Sequence, residues 1–101
     1  MTTNNNATTA ARLETFPIPQ SGRTQIRVAG ERTFDVECIG ISAADSEMLE
    51  AFFCAMQGAG PFRFEYGNVV HPECIFHKNE ATFTPGLSRN NVSFPIYIQP
   101  A

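Results

Sequence analysis

A chain of 101 residues with 43% hydrophobic and 17% charged positions has material for one core, not two, and reads as an ordinary globular domain. Its formal charge of -3 excludes a protein whose affinity rests on neutralising nucleic-acid phosphates, and no Lys/Arg cluster offsets that balance. Nine Phe against no Trp is a large apolar load without polar handles, suited to tight burial or to protein contact.

The first eleven residues, MTTNNNATTAA, are almost wholly Thr, Asn and Ala. They offer nothing to bury and are expected to form a polar arm that orders only against a neighbour. That stretch also lacks an apolar signal core, and no run approaches the roughly 18 apolar residues of a membrane helix, so a soluble chain made in the cytoplasm is expected. In LETFPIPQSGR, two prolines separate Leu13, Phe16 and Ile18 before a Ser-Gly bend, which makes residues 1–23 an arm and extended lead-in to a domain over 24–101.

Two strands follow around an Ala29-Gly30-Glu31 turn. Thr24, Ile26 and Val28 alternate with Gln25 and Arg27, and Phe34, Val36 and Cys38 with Asp35 and Glu37, the period of half-buried strands in a hairpin. Beyond Cys38 the apolar parity shifts to Ile39 and Ile41, which predicts a bulge at Gly40 or burial of both faces there. The acidic pair Asp35 and Glu37 is expected on a solvated face.

Ser42 and Asp45 then form an S-x-x-D capping box ahead of Met48, Leu49, Phe52, Phe53 and Met56, an apolar stripe at helical spacing that Gly58, Gly60 and Pro61 end. Strand texture returns with Phe62, Phe64 and Tyr66 alternating with Arg63 and Glu65, a Gly67-Asn68 turn, a strand over 69–77 interrupted at Pro72, a short one over 81–84, and a last one from Val92 to Ile98. Pro95 lacks an N–H, so that last strand is expected at an edge or a bulge. One helix between two β-rich halves, without βαβ alternation, predicts an α+β fold: an antiparallel β-sandwich or barrel with one flanking amphipathic helix.

The candidate chemistry centres on His71-x-x-Cys74-x-x-His77. In a regular strand His71, Glu73, Ile75 and His77 share one face and Cys74 and Phe76 the other, and the two histidines lie about 20 Å apart, too far for a shared zinc ion. Only a local loop would gather them, so a small metal-binding or redox module on these three residues is the alternative reading. The three cysteines, Cys38, Cys54 and Cys74, have no paired spacing and are each expected as small buried apolar residues. Cys54 lies at the wrong end of its helix for an activated nucleophile, and no hydrolase, Walker or dinucleotide motif occurs. No catalytic residue, metal ligand or cofactor is therefore assigned, and a non-enzyme is expected. An aromatic base-stacking platform on Phe62, Phe64 and Tyr66 is weaker than an aromatic sheet face packed against Phe52 and Phe53. A ligand-binding barrel is a third reading, set back by a Phe-filled interior.

The succession RTFDVECIGIS, AADSEMLEAFFCAMQGAG, PFRFEY and VSFPIYIQ resembles the small minor tail proteins of long-tailed bacteriophages, the lambda-type tail-tip protein M and distal tail protein family. The resemblance spans about residues 24 to 99. It implies a tail-tube-like β-sandwich in the virion, assembled as a ring of six copies that joins the tail tube to the tip complex. The partners it implies are copies of the chain and other tail proteins, with DNA passing unbound and no membrane. Strand edges and excess Phe, liabilities in a monomer, would be covered by neighbours.

Overall fold

The computed structural model describes residues 14–57, 60–78 and 80–100; the polar arm, Leu13 and Gly58 lie outside them. Among the described residues the fold is α+β, with one helix and a seven-stranded sheet. The strands are β1 (Glu14–Thr15), β2 (Arg23–Val28), β3 (Thr33–Ile41), β4 (Phe62–Tyr66), β5 (Val69–Phe76), β6 (Thr82–Pro85) and β7 (Asn90–Ile98), with helix α1 (Ala43–Met56) between β3 and β4. The order across the sheet is β1-β4-β5-β7-β3-β2, and β6 also pairs with β7. All pairs are antiparallel except β1 with β4.

The β2–β3 hairpin forms as the alternation predicts, and the register between β3 and β7 slips between Cys38 and Ile41, at the expected bulge. Gly40 takes φ 69° there, and its N–H donates to Asn91 Oδ1 at 2.8 Å. Gly67 takes φ 60° at the first central position of the β4–β5 turn, as a two-residue hairpin demands.

One expectation about proline needs correction. The last strand is central, with β3 on one side and both β5 and β6 on the other. Pro95 is tolerated because of where its nitrogen points. Its carbonyl accepts from His77 N–H at 2.9 Å, just past the end of β5 and before β6 begins. In an antiparallel strand N–H and C=O of one residue face the same neighbour, so the missing donor falls at the β5–β6 break, where it forgoes only the reciprocal bond to exposed His77 and interrupts the ladder to neither β3 nor β6. The interruption expected at Pro72 is a bulge within one continuous strand: Phe62 pairs with Cys74 and Phe64 with His71, so β5 carries one residue more than β4 between them.

Helix α1 starts at Ser42, whose Oγ accepts from Asp45 N–H at 3.2 Å. The other half of the capping box runs through the lead-in. Ser21 Oγ accepts the Ser42 N–H at 2.8 Å, while the Asp45 carboxylate accepts both the Ser21 hydroxyl and, at 3.0 Å, the Ser21 N–H. Leu49 and Phe53 are buried on the sheet and Phe52 and Met56 half-buried, whereas Met48, expected on the apolar stripe, is exposed.

The core is one aromatic network. All nine Phe are linked by ring contacts, and seven of them are buried. Phe16 sits at its centre, 5.5 Å from the rings of Phe52, Phe64 and Phe94 and 6.2 Å from Phe62. The lead-in is thus woven into the domain: β1 extends the sheet, Phe16 fills its interior and Ser21 caps its helix. No helix of the described residues is long and apolar enough to cross a membrane.

Candidate interaction surface

The sheet coils far enough for its two margins to touch without pairing. Tyr66, at the end of β4, donates its hydroxyl to the Thr24 carbonyl of β2 at 2.9 Å. Phe34 of β3 meets Phe64 at 5.2 Å and the His71 ring at 5.4 Å across the same interior. No strand pairing joins β2 to β4 or β1 among the described residues, so β2 keeps a free edge. Because the Thr24 carbonyl faces outward, strand alternation turns the N–H and C=O of Ile26 and Val28 outward as well. An unpaired row of that kind is a template for another strand.

At the end of the molecule beside that edge lies an apolar groove of about 280 Å³, bounded by Ile26, Val28, Phe34, Val69, His71 and Ile98, with Glu31 on its rim. Val28 is 80% exposed there, whereas Ile26 and Thr24 on the same face of β2 are half-buried and buried. At the opposite end, the turn joining β6 to β7 carries Leu87, whose relative exposure of 109% means that nothing among the described residues covers it. The nine-residue span of β7 separates the two ends by about 30 Å.

The outer sheet face is polar and internally balanced. Arg27 bridges Glu37 at 2.8 Å and Asp35 at 3.9 Å, and Gln25 donates to Glu37 at 2.7 Å. Asp35 and Glu37 are thus half-buried and paired rather than freely solvated.

The bulge at Pro72 corrects the expected faces of the His71/Cys74/His77 segment. It reverses strand parity, so His71, Cys74 and Phe76 all face the interior, where the Cys74 thiol lies 3.8 Å from the His71 carbonyl. His77 is exposed on the outer side and stacks on Tyr97 at 6.0 Å. The three side chains do not converge, and among the described residues no three His, Cys, Asp or Glu side chains form a group able to hold a metal ion. Burial pushes the Cys74 thiol up to about 12, and burial likewise raises Cys38, outweighing the hydroxyl of Thr24 that lowers it. Both are protonated at neutral pH, poor as nucleophiles and as ligands. Cys54, expected buried, is exposed because it falls on the solvent side of α1, one residue past Phe53.

The aromatic stripe divides by depth. Phe62 packs against Phe52 as expected, Phe64 turns to Phe16 and Phe34, and Tyr66 becomes the stitch between margins. Sequence reading missed the surface features, Leu87 and the groove. Their signal was a leucine in a turn otherwise made of Gly, Ser and Arg, and a valine at the mouth of a hairpin.

No protein-family model, curated protein or solved structure matches the chain.

Proposed function

We propose that the protein is a structural subunit of a bacteriophage tail, one of a ring of copies at the distal end of the tail tube that joins the tube to the tip complex. The observation that carries this reading is the unfinished sheet: a free β2 edge beside an apolar end, both of which neighbouring subunits would cover. In this reading the coiled sheet and its helix are a β-sandwich of tail-tube type, opened so that its margins serve assembly. The order of elements that underlies the resemblance supports it: hairpin, capped helix, aromatic strand, closing strand.

Charge supports it too. A ring through which DNA passes must not grip phosphates, since each free Lys or Arg contact adds affinity through counterion release. Here the net charge is -3, and Arg27 on the outer face is already held by two carboxylates. The subunit is non-enzymatic in this reading, with its buried thiols serving only as packing.

The test is co-expression with the tail-tube and tip proteins of one phage, followed by mass measurement of the native particle. Incorporation in a fixed ring stoichiometry is expected; a chain that stays monomeric with every tail partner contradicts the proposal. Elemental analysis separates the metal-module alternative: stoichiometric zinc, lost in Cys74→Ser, would favour that module instead.

A further inference from the structure

We propose that copies of the chain join head to tail, with Leu87 of one copy seated in the apolar end groove of the next. The inference deepens the self-assembly in the reading above and rests on that part of it, not on the phage tail itself. Its basis is that the two exposed apolar features are complementary in kind and opposite in position. Leu87 projects from the turn after β6 with full exposure, while the groove opens at the far end of the sheet between the β2–β3 and β4–β5 hairpins.

Charge matches across the same contact. Arg89, two residues from the knob, reaches the Gly40 carbonyl at 3.5 Å and enters no ion pair among the described residues, and neither does Glu31 on the groove rim. Seating Leu87 brings the guanidinium toward that carboxylate, which sets orientation while the leucine supplies burial.

A symmetric alternative, β2 pairing with β2 of a second copy, fits less well. Thr24 would have to release its carbonyl from Tyr66 to complete the ladder. A contact that uses different patches on the two partners cannot close on itself as a dimer; it produces a ring if the rotation closes and a filament if it does not. The groove and the knob thus supply the asymmetry that a ring requires.

The experiment is light scattering and sedimentation of the full chain and of two variants, Leu87→Asp and Val28→Asp. Both positions are outside the core, so each variant is expected to retain the wild-type circular dichroism, and to melt as wild type does at dilutions where neither assembles. Wild type is expected to assemble, and each variant alone to associate at least about tenfold more weakly, as loss of a central apolar anchor does. An equimolar mixture of the two is expected to yield a heterodimer, because one intact knob and one intact groove remain between them. Arg89→Glu is expected to weaken assembly and Glu31→Arg in the same chain to restore it. Variants that assemble like wild type, or a mixture of folded variants that stays monomeric, overturn this contact while leaving assembly by other surfaces standing. A wild type monomeric at every concentration overturns the contact, and one that stays monomeric with every tail partner as well overturns both.

Discussion

Gly22 lies where the lead-in crosses the bulge of β3, and no other residue fits. Its φ is 67°, and a Cβ would sit 2.3 Å from the Ile39 carbonyl oxygen and 2.7 Å from the Gly40 carbonyl. Gly40 shares the left-handed conformation, φ 69°, but a Cβ there meets nothing within 4 Å. The pair separates strain from collision. Gly40→Ala is expected to cost about 1–2 kcal/mol, the conformational penalty alone. Gly22→Ala adds a backbone clash and is expected to cost on the order of 3 kcal/mol or more. Urea denaturation of both variants measures the difference, and equal losses would show that the clash is relieved by movement. The thiols give a second contrast at this scale. Cys54 is exposed while Cys38 and Cys74 are buried and protonated. A thiol reagent at neutral pH is expected to modify Cys54 rapidly and the other two only after denaturant is added; fast native reaction of all three would contradict the packing around β3 and β5.

At the scale of elements, the start of α1 depends on a residue twenty-one positions upstream of its cap. The Ser21 hydroxyl and N–H hold the Asp45 carboxyl below its ordinary value of 3.8. A carboxyl depressed by folding stabilises the fold above its unfolded value, and that contribution fades as pH falls through the lower folded value. Asp45→Asn is therefore expected to be less stable than wild type at pH 7, with the gap shrinking below about pH 4. Thermal melts across that range check it, and a gap independent of pH would deny the carboxylate its role. Ser42 and Asp45 announced a cap within four residues, yet the relay through Ser21 was illegible, because its serine and the helix are joined only by the fold. The same distinction runs through the rest. The alternation of β2, β3 and β4, the shift at Gly40 and the helix were readable because each depends on near neighbours. Pro72 and Pro95 misled because the consequence of a proline depends on what stands opposite it. At Pro72 the strand absorbed an extra residue and turned His71 inward, and at Pro95 the missing donor met a gap between two strands. Phe16 looked like part of a linker because a single Phe between polar residues carries no period.

For the whole molecule, the consequential feature is its polarity. One end presents a bare leucine and the helix cap, the other an apolar groove flanked by a free strand edge. The core between them is saturated: none of the described buried side-chain nitrogen or oxygen atoms lacks a hydrogen-bond partner, and the aromatic network fills the interior. In the proposed reading the interior is therefore given over to packing, and the surface carries the assembly. The candidate site was for this reason less legible than the fold. The knob is a single residue and the groove a gathering of residues from separate strands, both distinguished by the absence of a cover, which a sequence does not display. The most direct measurement is the native mass of the full chain across a wide concentration range, against a chain mass of 11.1 kDa. The account predicts a discrete assembly of several copies that grows in with concentration or on adding tail partners. A single species of monomer mass under all those conditions would contradict it.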